Sequence, residues 1–169
     1  MNKKQLTEAD IRTKFITPAI VGQGKWDVMV RVREEVYFTK GRVIVRGKTV
    51  RRGETRKADY VLYYKPNLPI AVIEAKDNTH AVGDGMQQVL DYANALDAPF
   101  AYSSNGDAFL EHDRTGISEV VEREISLSQF PSPQELWARY CQAKGYTPAQ
   151  QAVATQDYYD VDSRKSPRY

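Results

Sequence analysis

The chain has 169 residues, of which 41% are apolar and 27% are charged. This length suits one folded domain with a usable core, and the composition excludes wholesale disorder. No apolar run is long enough to span a membrane, and charged side chains throughout residues 1–20 argue against a secretory signal. Because Cys141 is the only cysteine, no internal disulfide can form, which indicates a reducing, cytoplasmic location.

Basic side chains are concentrated in one segment, although the formal net charge is only +2. Between Lys40 and Lys57 there are eight lysines and arginines against one acid, Glu54. Such a patch can pair with the phosphates of a nucleic acid, or it can be a solvated hairpin with long charged side chains. The candidates for contacts with a DNA backbone are Arg46, Lys48, Arg51, Arg52 and Lys57.

The first half of the chain predicts one helix and several strands. Thr7 and Asp10 form a helix start signal, and apolar residues at helical spacing predict a helix over 8–21 that Pro18 kinks or ends. Alternation with a period of two predicts a strand over 28–37. Residues 42–50 are rich in valine and isoleucine between glycines, which indicates one or two edge strands or a hairpin.

Two short apolar runs, 58–64 and 69–76, are separated by the turn signal Lys65-Pro66-Asn67. They should pair antiparallel, and the second, being almost wholly apolar, should be buried on both faces. Further along the chain the pattern predicts a helix over 84–96, a strand over 99–103, short edge strands at 108–110 and 120–121, and a helix from Ser132 that Gly145 ends. This order predicts an α/β fold with a mixed sheet flanked by helices.

Periodicity is lost after Gly145, so residues 147–169 are predicted to be a linker or extended tail, and residues 1–146 to be the folded domain. The chain lacks a Gly-x-x-x-x-Gly-Lys-Ser/Thr phosphate-binding loop. No ATP site is therefore expected in it.

Three polar residues should converge at one edge of the predicted sheet. Glu74 and Lys76 are two residues apart on a strand, so their side chains point to the same face. Asp59 lies near the start of the preceding strand, which an antiparallel hairpin brings beside the end of the next one. The alternative stays open that Glu74 and Lys76 are only a surface ion pair, which would contribute less than about 1 kcal/mol to stability.

This grouping suits the hydrolysis of phosphodiester bonds. Two carboxylates can hold a hard divalent cation, most naturally Mg²⁺, and such an ion stabilises charge on the phosphate and lowers the pKa of a bound water. Lys76 can orient that water, assist its deprotonation or stabilise the pentavalent phosphorus. Glu8, on the first predicted helix, can add a carboxylate or bind a water molecule held by the metal.

The same residues resemble a known family. Asp59-Tyr60, Ile73-Glu74-Ala75-Lys76 and Gln88-Val89-Leu90-Asp91-Tyr92 look like the PD-(D/E)xK and Gln-x-x-x-Tyr motifs. Their combination is typical of the N-terminal nuclease domain of the R subunit of type I restriction-modification enzymes. The stretches Thr7–Arg12 and Pro99–Gly106 are similar to the opening helix and a later strand and turn of that domain. Ala58 stands where the motif name has proline, which is not a ligand.

The resemblance implies a restriction-endonuclease-like fold and a Mg²⁺-dependent endonuclease, with Mn²⁺ as a substitute. It further implies that Asp59, Glu74 and Lys76 are catalytic and that cutting of double-stranded DNA is coupled to an ATP-driven, helicase-like motor in the full-length chain. Methyltransferase and specificity subunits would be the partners. Gln88 and Tyr92 are four residues apart on a helix, so they share a face and can bind a DNA phosphate or brace the catalytic lysine.

Two other functions stay open. The chain can be a binding or docking module that holds DNA, or the methyltransferase, through the basic segment between Lys40 and Lys57. It can also be another enzyme of the same fold, such as a repair nuclease or a junction resolvase. Metal dependence separates the first alternative, because a pure binding module should bind DNA equally well with Mg²⁺ or with a chelator.

Overall fold

The computed structural model describes residues 2–39, 42–43 and 55–156, with residues 42–43 described by their backbone alone. Its strands are β1 (Val32–Thr39), β2 (Arg42–Val43), β3 (Arg56–Lys65), β4 (Leu68–Ala75), β5 (Phe100–Ser104), β6 (Ala108–Asp113) and β7 (Glu122–Ser126). They form one sheet in the order β2-β1-β3-β4-β5-β6-β7. β4 and β5 are parallel, and the other neighbouring strands are antiparallel.

The helices are α1 (Glu8–Ile11), α2 (Thr17–Val21), α3 (Met86–Leu96), α4 (Pro133–Lys144) and α5 (Pro148–Ala154). The α3 helix forms the crossover between the parallel strands β4 and β5, as a parallel connection requires. The predicted α/β mixed sheet flanked by helices is confirmed. In the part of the chain that the structure describes, no helix has the length and apolar character needed to cross a bilayer.

The predicted first helix is present, but its middle is wider than an α-helix. Thr7 and Asp10 form the expected capping box, and α1 then passes into a π-helical stretch over Arg12–Ile16 before α2 begins. Pro18 lies in the first turn of α2. Because proline has no N–H and its ring clashes with the carbonyl four residues earlier, widening the preceding turn lets the helix continue to Val21.

Three predictions differ from the structure. The strand predicted over 28–37 begins at Val32, because the Asp27 side chain accepts from the Met29 N–H and its carbonyl from the Arg31 N–H, which closes a turn. The strand expected at 120–121 lies at Glu122–Ser126 instead, since an edge strand with charged residues carries no apolar signal. Within the predicted tail, Pro148–Ala154 is helical, with a capping box between Thr147 and Gln150.

Both faces of the sheet are covered. On one face, α1, α2 and α4 pack over aromatic residues of the central strands, which include Tyr60, Phe100, Tyr102 and Phe109. On the other face, α3 packs Val89, Ala93 and other apolar residues over Val61 and Val72. Every residue of β4 from Ile70 to Ala75 is buried, which confirms the expected central strand.

A buried charged network joins β5, β6 and α4 on the first face. Glu111 is 1% exposed, and it accepts hydrogen bonds from the Tyr102 hydroxyl at 2.6 Å and from both Nη atoms of Arg139 at 3.1 and 2.8 Å. Arg139 also contacts Asp113 at 2.9 Å. Burial would raise the pKa of Glu111, but the hydrogen bonds from Arg139 and Tyr102 and the arginine charges outweigh it and lower that pKa.

Replacing Arg139 with methionine should lower the free energy of unfolding by about 3–5 kcal/mol, because it leaves the buried carboxylate of Glu111 without its bidentate partner. Urea denaturation measures this loss. The matched control is Arg123→Met, since Arg123 contacts the same carboxylate at 3.1 Å from a side chain that is 54% exposed. That control should cost less than about 1 kcal/mol. Equal losses in the two variants would contradict the assignment of the network's stability to Arg139.

Candidate active site

The β3–β4 hairpin brings the predicted carboxylates together. Tyr60 pairs with Ile73, so the next positions outward, Asp59 and Glu74, lie across from each other, and Lys76 follows directly after β4. Both carboxylate residues are buried, with exposures of 4% each. Asp59, Glu74 and Lys76 therefore converge at one edge of the sheet, at the position where the sequence predicts them.

The Asp59 carboxylate is fixed by the backbone of the neighbouring strand. Its Oδ2 accepts a hydrogen bond of 2.8 Å from the N–H of Ala75, the last residue of β4. Its Oδ1 faces the guanidinium of Arg12, whose Nη1 is 3.8 Å away. The distance exceeds that of a hydrogen bond, so Oδ1 keeps its lone pairs for another ligand.

The Glu74 carboxylate is poorly satisfied. Its Oε1 lies 3.6 Å from the Lys76 Nζ, and its Oε2 is buried without a hydrogen-bond partner. Burial, and then the charge of Asp59, raise the pKa of Glu74 to about 8, against the opposing effect of Lys76. A buried carboxylate oxygen without a donor, across from a second carboxylate, fits a divalent cation, which would neutralise both groups.

Two residues of α3 hold the lysine. Gln88 Oε1 accepts a hydrogen bond of 3.1 Å from Lys76 Nζ, and Gln88 Nε2 donates one of 2.6 Å to the Tyr92 hydroxyl. Tyr92 in turn packs edge-on against Phe38 with ring centroids 5.0 Å apart. The glutamine and the tyrosine, four residues apart on one helical face, thus form a chain of contacts that ends on the lysine.

The start of α3 also packs against the acidic pair. Gly85 donates its N–H to the Ser103 Oγ at 3.0 Å, and a Cβ on Gly85 would lie 3.1 Å from Cγ of Glu74. The same Cβ would lie 2.9 Å from the Ser103 Oγ, so a side chain at this position would require Ser103 and Glu74 to shift. The sequence indicates Gly85 only as a residue near a helix start, and the contact with the acidic pair depends on the fold.

The remaining predicted site residues are less closely placed. Glu8 lies in the first turn of α1, where burial and then the charge of Asp59 raise its pKa. Among the described residues, no group of three or more acids, histidines or cysteines is arranged to hold a metal ion. Lys57 donates to Glu35 at 3.2 Å. The other members of the basic segment predicted to contact DNA, Arg46, Lys48, Arg51 and Arg52, lie outside the described residues.

Comparisons with known proteins identify the family of the chain. The family model of the type I restriction enzyme R protein N terminus matches residues 42–116. The endonuclease subunit of the Escherichia coli type I restriction enzyme EcoAI is 53% identical over the whole chain. The chain belongs to this family of R-protein N termini. The match covers 21% of the EcoAI subunit, so the chain spans about a fifth of that relative.

A solved structure carries the same fold. It is a fragment assigned as an HsdR subunit of a type I restriction enzyme from Vibrio vulnificus YJ016, with 42% identity and a TM-score of 0.69. The match covers 85% of this chain and 27% of the solved chain. The resemblance of the chain to the N-terminal domain of R subunits is therefore confirmed in both sequence and fold.

Two residues beside the site were not predicted from the sequence. Arg12 begins the π-helical stretch and contacts three acids, and Glu35 lies across from Asp59, between the pairs Glu34–Tyr60 and Val36–Ala58. Glu35 has a φ of +50°, in the left-handed region that side chains other than glycine rarely adopt. Glutamate does not mark a left-handed position in a sequence as glycine or asparagine does, so no local signal in β1 indicates this conformation.

Glu35→Gly should have a free energy of unfolding about 1 kcal/mol higher than that of Glu35→Ala, because alanine keeps the left-handed strain and glycine relieves it. Both variants lose the same side-chain contacts, so the comparison isolates the backbone. Chemical denaturation of the two proteins measures the difference. An alanine variant as stable as the glycine variant would show that residue 35 is not strained.

Proposed function

We propose that this domain is a metal-dependent endonuclease that hydrolyses phosphodiester bonds of double-stranded DNA. The observation that carries the proposal is the pair of buried carboxylates of Asp59 and Glu74, with one oxygen unsatisfied, beside a lysine held by Gln88. Carboxylate oxygens are the ligands that Mg²⁺ prefers, and Mn²⁺ suits the same set. Mg²⁺ is accordingly the proposed cofactor, with Mn²⁺ able to replace it.

The protein's own groups have distinct roles in this proposal. Asp59 and Glu74 would hold the cation, and Glu8 would hold a water molecule in its shell. The bound metal would neutralise charge on the phosphate and lower the pKa of a water molecule. Lys76 would donate hydrogen bonds to the attacking water or to the phosphate. Because Gln88 accepts a hydrogen bond from Lys76 and donates one to Tyr92, the ammonium group is held in position before the substrate binds.

The basic segment would supply the contacts to the DNA backbone. Arg46, Lys48, Arg51, Arg52 and Lys57 would pair with phosphates, and such contacts make binding dependent on salt. Within the described part, Lys57 lies two residues before Asp59 on β3, so a phosphate that it binds would lie near the acidic pair. This segment positions the duplex without reading its sequence, because phosphate contacts carry no direct sequence information.

The EcoAI relative supports a wider context for this proposal. It is called an endonuclease subunit, and the matched region is about a fifth of it. We propose that residues 1–146 are the nuclease domain and that residues 147–169 lead toward an ATP-driven motor elsewhere in the full-length subunit. Methyltransferase and specificity subunits would complete a cytoplasmic restriction complex and would select the DNA site.

Lys76→Ala in the full-length subunit, assembled with its partner subunits, should lower the rate of Mg²⁺-dependent plasmid cleavage by about 100-fold or more. The physical reason is the loss of a positioned charged donor next to the scissile phosphate. Gel assays of linear and nicked plasmid give the rate. ATP hydrolysis by the same complex should be unchanged, because the motor would lie outside this domain.

Lys144→Ala is the matched control, since Lys144 ends α4 over the Tyr140 ring and has no contact with the acidic pair. It should cut at the wild-type rate. Undiminished cleavage by Lys76→Ala would refute the catalytic assignment. DNA binding that is equal with Mg²⁺ and with a chelator, without any cleavage, would instead support a docking module.

A further inference from the structure

Arg12 is a basic residue packed against Asp59, and its side chain is only 14% exposed. Its guanidinium lies among three carboxylates, at 3.4 Å from Glu35, 3.7 Å from Glu34 and 3.8 Å from Asp59. One face of the group covers the ring of Tyr60, with the centroid 5.1 Å from Cζ. The arginine is therefore confined on several sides, and each of its ion pairs is longer than a tight charge-assisted hydrogen bond.

Two unfavourable features accompany Arg12, one in the backbone beside it and one in its own guanidinium group. Across from Asp59, Glu35 adopts its left-handed conformation. The buried Nε of Arg12 has no hydrogen-bond partner. Unfavourable local conformations and unsatisfied buried donors of this kind cluster at functional sites, because selection for stability alone would remove them.

Glu35 holds the arginine from the other side. Its Oε1 contacts Arg12 Nη1 at 3.4 Å and accepts from Lys57 Nζ at 3.2 Å, so one carboxylate oxygen joins two cations. Lys57 and Asp59 are neighbours on the same strand, β3. The chain of contacts from Lys57 through Glu35 and Arg12 thus returns to Asp59.

We infer that Arg12 is a positioning residue for the metal ligand Asp59, held in place by Glu35. The inference rests on the proposed function and assigns a role that the sequence does not indicate. Asp59 is gripped at Oδ2 by the Ala75 N–H, and Arg12 attracts Oδ1 from 3.8 Å without occupying it. The carboxylate is then fixed in rotation while the oxygen that a cation needs stays available.

An arginine can do this where a lysine cannot. The planar guanidinium presents donors in a fixed fork, and in this structure one Nη faces Asp59 and Glu35 while the other faces Glu34. A lysine would place one compact charge among the same acids and would contact one of them at a time. Substitution by lysine therefore keeps the charge but loses the geometry.

The test is Mn²⁺ binding to the 169-residue chain by titration calorimetry in the absence of DNA, for the wild type, Arg12→Gln, Arg12→Lys and Glu35→Gln. Outer partners that orient metal ligands typically contribute 10- to 100-fold to metal affinity. We expect Arg12→Gln to weaken Mn²⁺ binding by that factor, with smaller losses for Arg12→Lys and Glu35→Gln. Arg12→Lys conserves the charge and Glu35→Gln conserves the size of the side chain, so these two variants keep the test informative if Arg12→Gln fails to fold.

The matched control is Arg114→Gln. Arg114 is a partly buried arginine that donates to the carbonyls of Ala93 and Ala98, near the start of β5 and at the opposite end of the sheet from Glu74. It should lose stability and keep the wild-type Mn²⁺ affinity. A purely structural role for Arg12 would give the same result for both arginines.

Three outcomes are distinguishable. Weaker Mn²⁺ binding in the Arg12 variants than in the Arg114 control supports the inference. Binding by Arg12→Gln that is equal to or tighter than the wild type overturns it, since the arginine would then only repel the cation. A wild-type chain that binds no Mn²⁺, with or without DNA, overturns the proposed function itself and, with it, any role for Arg12 toward the metal.

Discussion

The site depends on one hydrogen bond across the β3–β4 hairpin, from the Ala75 N–H to the Asp59 carboxylate. Because Ala75 ends β4, its amide would otherwise lack a partner toward β3, and the aspartate supplies the acceptor. The same bond fixes Asp59 beside Glu74 in a place where neither carboxylate is exposed to water. The register of the hairpin, the burial of β4 and the packing of α3 all act to keep these groups together.

The electrostatics of the site follow from that geometry. Burial, and then the charge of Asp59, raise the pKa of Glu74 to about 8, and the same two causes raise the pKa of Glu8. The fold tolerates this acidic cluster because two basic residues lie beside it. They are Lys76, directly after β4, and Arg12, on the first helix. The result is an arrangement that is poorly satisfied without a ligand, which is the usual condition of a site built to bind one.

The β3–β4 hairpin and the contact of Gln88 with Lys76 could be predicted from the sequence, because their signals are local. A turn signal between two apolar runs predicts the β3–β4 pairing, and a spacing of four residues places Gln88 and Tyr92 on one face. The turn at Asp27 could not be predicted from alternation, since a side chain that hydrogen-bonds its own backbone competes with the strand. Likewise, edge strand β7 carries charge instead of an apolar pattern.

Features that join distant segments escaped prediction for a different reason. The placement of Arg12 next to Asp59, and of Arg139 next to Glu111, depends on how helices cross the sheet, which no local pattern encodes. Glu35 adopts its left-handed conformation where it contacts Arg12 and Lys57, which are distant from it in the sequence. Sequence motifs therefore predicted the chemical groups of the candidate site, and the fold was needed to find which residues hold them.

The most direct test of the account is calorimetric titration of Mg²⁺ and Mn²⁺ into this chain, comparing the wild type with Asp59→Ala and Glu74→Ala. Glu124→Ala, an exposed acid on β7, is the control for a general loss of negative charge. The first two substitutions should each abolish binding, and the control should bind metal as the wild type does. Metal binding that survives both substitutions, or that is absent from the wild type even with DNA present, would contradict it.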